Sequence, residues 1–262
     1  MNPTDDEVLV SQEDGVLTIT LNRPERRNAL TWTMLDRLRE VVADAASAPD
    51  VRVLVLTGAG HRAFCAGAEL QAMAAGASVL QRHEGWGLLA RLFEDLWSAG
   101  KPTIAKVHGF CLAGGFGLAL SCDLVVAADD AVFGTPEIDV GLWPFIVTVP
   151  LCRAMAPKKA LELMLTGRRV DAAEADRLGF VTRVVPAGEL DGVTAELATS
   201  LAAKSPTALR LGRDAFYRVW DAAADDALAT LHPLLTVLAQ SEDAREGMAA
   251  FAAKRPPTWT GR

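Results

Sequence analysis

The 262-residue chain lacks the features of several protein classes. No apolar run approaches the roughly 18 residues that a membrane-spanning helix needs, and the acidic start Met1-Asn-Pro-Thr-Asp-Asp-Glu7 does not have the form of a secretory signal. With 26 Lys and Arg against 33 Asp and Glu, the net charge of −7 argues against nucleic acid as a partner. We therefore expect a soluble cytoplasmic protein whose partners include neither nucleic acid nor a membrane.

Cysteine and histidine are also scarce. The four cysteines, Cys65, Cys111, Cys122 and Cys152, show neither a CxxC pair nor a spacing to histidine that is typical of metal ligands. We expect free thiols in a reducing compartment, no metal site and no separate cofactor. Hydrophobic residues make up 50% of the chain, which is enough for one large core without such reinforcement.

Predicted strands and helices alternate along the first part of the chain. Residues 8–12 and Val16-Leu-Thr-Ile-Thr-Leu21 flank an Asp14-Gly15 turn and indicate a hairpin. Further strands are predicted at 51–57, 103–107 and 124–127. Helices are predicted from about residue 31, between the loop that follows residue 57 and residue 97, and over 113–122. This order predicts an α/β fold.

Helices dominate beyond residue 156, where only 180–185 has the pattern of a strand. Asp171 with Glu174 predicts a capping box. An apolar stripe at helical spacing follows near the C-terminus, and Pro233 within it is expected to kink or split the helix. The stripe consists of Leu228, Leu231, Leu234, Leu235 and Leu238.

Two glycine-rich loops each follow a predicted strand: 58–70 and Gly109-Phe-Cys-Leu-Ala-Gly-Gly-Phe-Gly117. In the second loop, Gly114 and Gly115 fall at a helix N-terminus, where backbone N–H groups have no partner within the helix. Glycine lets a ligand atom approach these groups closely, as an oxyanion hole requires. The two loops therefore predict one donor each, although packing glycines are the alternative.

Glu137 is the main candidate for proton transfer. In Thr135-Pro136-Glu137 the pattern also fits a helix start, with Thr135 as the cap and Glu137 as a solvated acid. The residues that follow are unusually apolar for a solvated carboxylate, and desolvation raises the proton affinity of a carboxylate. They include Ile138, Val140, Leu142, Trp143, Phe145 and Ile146.

Other patterns indicate binding or alternative chemistry. Arg26-Arg27 and Lys254-Arg255 are candidates for an anionic ligand, or are solvated charges. Cys111 in Gly109-Phe-Cys-Leu-Ala also fits a nucleophile elbow, for which His232 is the only later histidine.

Six segments in order resemble the enoyl-CoA hydratase/isomerase (crotonase) superfamily. They are Leu21-Asn-Arg-Pro-Glu-Arg-Arg-Asn-Ala-Leu30, Ala63-Phe-Cys-Ala-Gly-Ala-Glu-Leu70, Gly109-Phe-Cys-Leu-Ala-Gly-Gly, Phe133-Gly-Thr-Pro-Glu-Ile-Asp-Val-Gly-Leu142, Leu165-Thr-Gly-Arg-Arg-Val-Asp-Ala-Ala-Glu-Ala175 and Glu246-Gly-Met-Ala-Ala-Phe251. The resemblance implies a crotonase-like spiral of ββα units over 1–200 and a C-terminal helical trimerisation region over 201–262. It also implies an acyl-CoA substrate and a homotrimer or a dimer of trimers.

The resemblance assigns roles to particular residues. Glu137 is the catalytic acid/base, and Ala68 and Gly114 are the oxyanion-hole donors. Arg26, Ala66 and Lys254 are expected near coenzyme A, which enters only as part of the substrate. Trp143, with Trp86 and Trp97, is a candidate for lining the acyl pocket, although buried tryptophans are more often plain core.

One position departs from the family pattern. The usual Gly-Gly-Gly-x-Glu hinge reads Ala113-Gly-Gly-Phe-Gly117, so Gly117 occupies the second catalytic glutamate position. The departure favours double-bond isomerisation over hydration. Asp139 is a nearby reserve acid, although a structural role is the main expectation for it. A hydratase despite this loss, a non-catalytic acyl-CoA-binding homologue and a cysteine-dependent α/β-hydrolase are the alternatives.

Overall fold

A computed structural model of the chain describes residues 7–69, 76 and 78–262. Ten strands lie within these residues: β1 Val8–Glu13, β2 Val16–Leu21, β3 Val53–Gly58, β4 Ala63–Cys65, β5 Thr103–Val107, β6 Phe110–Leu112, β7 Leu124–Ala128, β8 Val132–Gly134, β9 Arg169–Asp171 and β10 Arg183–Val185. The described α-helices are α1 Trp32–Ser47, α2 Val79–Ser98, α3 Gly114–Leu120, α4 Phe145–Ala154, α5 Pro157–Thr166, α6 Ala172–Leu178, α7 Leu190–Ala202, α8 Pro206–Val219, α9 Ala224–Ala239 and α10 Glu242–Ala252.

Two sheets organise the core. One has the strand order β1-β2-β3-β5-β7-β10, and the other has the order β4-β6-β8-β9. The successive pairs β3 with β4, β5 with β6, and β7 with β8 each give one strand to each sheet, and the inner neighbours pair in parallel. Because α2, α3 and α4 follow these pairs along the chain, the predicted succession of strand–strand–helix units is confirmed.

Local signals set most helix starts. The Thr31 hydroxyl accepts the Met34 N–H at 3.1 Å and begins α1, whose apolar face is buried in the core. Ser78 and Gln81 form a capping box at the start of α2. Ser205 and its following proline begin α8, as the sequence predicts.

Three local predictions need correction. Asp171 accepts the Glu174 N–H at 2.7 Å, but the Glu174 carboxylate binds Arg168 instead of completing a capping box. A strand is predicted over 180–185, but only residues 183–185 form one, in parallel pairing with β7. Helix α9 continues through Pro233 and is not split. Proline cannot donate to the carbonyl four residues earlier, but that part of the helix is exposed in the single chain, so the carbonyl can bind water.

A buried polar network joins α8 to the sheet and to α2. The Asp123 carboxylate accepts hydrogen bonds from Arg213 Nε at 2.8 Å and from the Tyr217 hydroxyl at 2.6 Å. Arg213 also donates to the carbonyls of Leu96 and Trp97, which end α2. A side chain of α8 therefore adds hydrogen bonds to carbonyl groups at the end of α2, where the helix itself supplies few donors.

Other predictions concern the wider organisation of the chain. The helix predicted after the first glycine loop falls partly on residues 70–75 and 77, outside the described residues. Among the described residues, no helix has both the length and the apolar character needed to cross a membrane. The division into a core over 1–200 and an oligomerisation region over 201–262 stays a prediction.

Candidate active site

The N–H group of Ala68 has no hydrogen-bond acceptor in the described part of the chain. The Leu30 N–H donates to the Gly67 carbonyl at 2.8 Å, and the Glu69 N–H donates to the Leu30 carbonyl at 3.0 Å. These two bonds form an isolated parallel bridge between Leu30 and Ala68. Since the backbone groups of successive extended residues point to opposite sides, the Ala68 N–H points away from Leu30 and is available to a ligand.

Gly114 supplies a second N–H that has no acceptor among residues 7–69, 76 and 78–262. It is the first residue of α3, where the N–H has no partner within the helix. A Cβ atom added at Gly67 would lie 3.6 Å from the Gly114 nitrogen and 2.7 Å from the Cβ of Ala113. The two glycine loops are therefore in contact, and Ala68 directly follows the residue at that contact.

The backbone around these donors is unusual. Gly67 has a φ of +100°, and Ala113 has a φ of +53°, which is costly for a residue with a side chain. At Gly115 an added Cβ would lie 2.4 Å from the Cys65 carbonyl oxygen, so α3 approaches β4 more closely than any side chain there permits. Strain and close approach of this kind cluster at functional sites.

Glu137 lies on a short 3-10 turn, Pro136–Val140, next to the start of α3. Strand β8 pairs with β6 so that Gly134 lies opposite Leu112. One residue further along, the Ala113 N–H donates to the Gly134 carbonyl at 2.9 Å. This bond holds the turn that carries Glu137 beside the hinge that carries Gly114.

The electrostatic setting of Glu137 differs from that of a solvated acid. Its Oε2 atom is buried and has no hydrogen-bond partner among the described residues, and neither does the Thr135 hydroxyl. A 3-10 turn does begin at Pro136, but the Thr135 side chain makes no capping bond and Glu137 is not a solvated acid, so those parts of the helix-start interpretation are wrong. Burial raises the pKa of the Glu137 carboxyl above its usual value, because desolvation disfavours the charged form. Such a carboxyl exchanges protons more readily near neutral pH.

The whole arrangement has close counterparts in known proteins. Residues 11–262 match the family model described as enoyl-CoA hydratase/isomerase. The chain belongs to this family. It is 38% identical over 260 residues to a probable enoyl-CoA hydratase of Mycobacterium tuberculosis, covering 97% of this chain and 98% of the relative. It is 37% identical over 257 residues to the 2,3-dehydroadipyl-CoA hydratase of Escherichia coli, covering 98% of this chain and 99% of the relative.

Structural similarity agrees with the sequence. The enoyl-CoA hydratase of Bacillus anthracis has a TM-score of 0.93 to this chain at 32% identity, with 98% of this chain and 100% of that chain covered. The expected crotonase fold is confirmed. The protein is accordingly an enzyme of a family that acts on acyl-CoA thioesters.

The position at which the family's second glutamate is expected is filled by apolar side chains. A Cβ atom added at Gly117 would lie 2.8 Å from Cζ of Phe93 and 3.0 Å from Cγ2 of Val147. Phe93 and Val147 are both buried in the core. Gly117 therefore not only lacks a carboxylate but also faces a packed apolar wall.

The residues expected near coenzyme A are distributed over several elements. Arg26 ends the exposed 3-10 turn Pro24–Arg26. The Ala66 N–H donates to the Arg27 carbonyl at 3.0 Å, which ties this loop to the residue after Arg26. Lys254 is exposed just beyond α10, with a φ of +51°. The neighbouring Arg255 is already paired with Glu246, at 2.6 Å and 2.8 Å.

The three tryptophans differ in their surroundings. Trp143 is half-buried against the core between Glu137 and α4. Trp86 is 49% exposed on α2. Trp97 lies near the end of α2, with its ring centroid 6.3 Å from that of Tyr217 on α8.

Sequence reasoning missed the apolar wall beside the donors. Leu89 and Phe93 are four residues apart on α2 and face α3 across the site, where an added Cβ at Gly114 would lie 3.1 Å from Leu89 Cδ2. The helical spacing of apolar residues in 79–98 indicates that one face of this helix is buried. It does not indicate which helix packs against that face.

The cysteine-hydrolase alternative is wrong. Cys111 is fully buried in β6, and its thiol contacts the Gly115 carbonyl oxygen at 3.5 Å. Burial raises the pKa of this thiol well above its usual range, so it is not an activated nucleophile. The fold is also not that of an α/β-hydrolase.

Proposed function

We propose that this enzyme moves a carbon–carbon double bond within an acyl-CoA thioester, with Glu137 as its single acid/base. The thioester oxygen accepts hydrogen bonds from the N–H groups of Ala68 and Gly114. The Glu137 carboxylate removes a proton from C2 of a 3-enoyl thioester, and the electrons pass to the thioester oxygen as an enolate. Glu137 then returns the proton to C4, which leaves the double bond between C2 and C3.

The surroundings of Gly117 carry this proposal. Hydration needs a water molecule that is positioned and activated, whereas migration needs only one group that removes a proton and returns it. Phe93 and Val147 present no polar atom on the side where a second carboxylate is expected. The Glu137 Oε2 atom has no hydrogen-bond partner in the described ranges, and the pKa of this carboxyl is raised; both observations support its role in proton transfer.

Hydration is the second candidate, because the relatives from M. tuberculosis and E. coli are both named hydratases. Turnover of matched 2-enoyl and 3-enoyl thioesters of the same chain length separates the two functions. We expect isomerisation to be faster, and Glu137→Gln to abolish it. Faster hydration by the unmodified protein would support the second candidate, and no turnover of either thioester would indicate a non-catalytic acyl-CoA-binding homologue.

We further propose that the enzyme assembles as a trimer or a pair of trimers, with coenzyme A near a subunit boundary. No residue of α9 is buried in the single chain, and Leu228 and Leu235 on it are each 68% exposed. Exposed apolar surface of this extent usually marks an interface. Arg26, Lys254 and the Ala66 carbonyl are the proposed contacts for the coenzyme.

A further inference from the structure

Helices α2 and α3 contact each other at successive turns, and each contact marks a depth, or level, measured from the proposed thioester site. Leu89 lies against Gly114, the proposed donor to the thioester oxygen. One helical turn further along both helices, Phe93 lies against Gly117, and Val147 of α4 completes that contact. Phe93 therefore lies one helical turn deeper than Gly114, the proposed donor to the thioester oxygen.

A groove of about 510 Å³ begins one turn beyond Phe93. Its lining includes Trp97 of α2, Leu120 of α3 and Pro150 of α4. Each of these residues follows Phe93, Gly117 or Val147 by three or four positions, which is one turn of each helix. The ring centroids of Phe93 and Trp97 are 6.3 Å apart. Phe93 and Val147 therefore lie between the level of Gly114 and the groove.

The chemistry of the groove suits an alkyl chain. Phe216 of α8 and Trp220, which directly follows this helix, add aromatic surface to its wall. The two cationic side chains in the lining are already paired, Arg153 with Asp221 and Arg213 with Asp123. Apolar walls with neutralised charges are typical of sites that hold hydrocarbon groups.

We propose that Phe93 is a specificity-determining residue that closes the acyl pocket and restricts the enzyme to short acyl chains. The proposal rests on the proposed acyl-CoA function of the site. With Phe93 in place, an acyl chain that extends past C4 meets the phenyl ring at the level of Gly117. Without the ring, the pocket and the groove form one channel through which a long chain passes.

Binding of butyryl-CoA and decanoyl-CoA, measured by calorimetry, tests the proposal without requiring turnover. We expect the unmodified protein to bind butyryl-CoA at least about tenfold more tightly than decanoyl-CoA. Phe93→Ala should reduce or reverse that ratio through tighter binding of decanoyl-CoA. Phe93→Leu, a milder change that preserves more of the core, should shift the ratio in the same direction. Leu92→Ala is the matched control, because Leu92 is equally buried on α2 but faces Ile19 and Leu38.

The outcomes separate this proposal from the function on which it rests. Comparable binding of both thioesters by the unmodified protein, or an unchanged ratio in both Phe93 variants, would overturn the role of Phe93 and leave acyl-CoA binding intact. An equal shift in Leu92→Ala would also overturn it, since the effect would then come from general loosening of α2. Binding of neither thioester would overturn the proposed function as well.

Discussion

Replacing Glu137 with glutamine should stabilise the folded protein while it removes activity. In the folded state the Oε2 atom is buried and has no hydrogen-bond partner within the described part of the chain, and desolvation raises the carboxyl pKa above its usual value. A carboxyl whose pKa is raised by folding is most favourable to the native state when it is protonated at low pH. Its ionisation weakens that state as the pH rises from the ordinary value of 4.5 through the raised pKa. Glutamine carries no charge at any of these pH values.

The size of the effect follows from the buried oxygen. A buried polar group without a partner costs about 1–3 kcal/mol, with more for a charged group and less where water reaches part of it. Glu137 is only half-buried and glutamine still needs partners, so we expect a gain of about 1 kcal/mol at pH 8. For a chain of this size, that gain raises the melting temperature by roughly 2–4 °C.

Thermal unfolding between pH 5 and pH 8 measures this gain. The difference between Glu137→Gln and the unmodified protein should be largest at pH 8 and shrink towards pH 5. Glu174→Gln is the control of opposite sign, because hydrogen bonds from Arg168 lower the pKa of the Glu174 carboxyl and its ionised form favours folding. A Glu137→Gln variant that is no more stable at pH 8, or a difference independent of pH, would refute the reasoning.

Further predictions concern the hinge and the assembly. Gly115→Ala should lower the free energy of unfolding, measured in urea, by about 1–3 kcal/mol, because the new Cβ would overlap the Cys65 carbonyl. The control Gly212→Ala, on the exposed face of α8, should be neutral or stabilising. Gly114→Pro removes the proposed donor and should lower turnover by about 10²-fold in a folded protein; unchanged turnover would place the oxyanion site elsewhere. Light scattering should detect a trimer or hexamer that Leu235→Glu dissociates, and a monomeric unmodified protein would contradict the assembly.

The sequence predicts most of the fold and of the candidate site where the signals are local. Glycine loops after apolar strands identify the regions of Ala68 and Gly114, because the need for close approach is encoded in the loop itself. The family resemblance, more than the local pattern, identifies Glu137. The 3-10 turn that carries it has no Thr135 cap, contrary to the helix-start interpretation.

Features that depend on contacts between distant segments were not predictable in this way. In the sequence, Phe93 is indistinguishable from the other apolar residues of an amphipathic helix. Its position against Gly117 depends on how α2 and α3 pack. The sequence shows that Gly117 occupies the position of a second glutamate, but it does not show that Phe93 and Val147 already occupy the space around it. The continuity of α9 through Pro233 likewise depends on exposure, which propensity alone does not give.

The bond from Arg213 to the end of α2 has a consequence for synthesis of the chain. Arg213 follows Trp97, whose carbonyl it binds, by 116 residues. At about 5–20 residues per second, roughly 6–23 s separate the emergence of the helix end from that of its partner. During this interval the Trp97 carbonyl lacks the hydrogen bond from Arg213, and the Trp97 ring lacks the contact with Tyr217 that α8 provides. The nascent chain therefore leaves this face of Trp97 uncovered until α8 has been made and has docked.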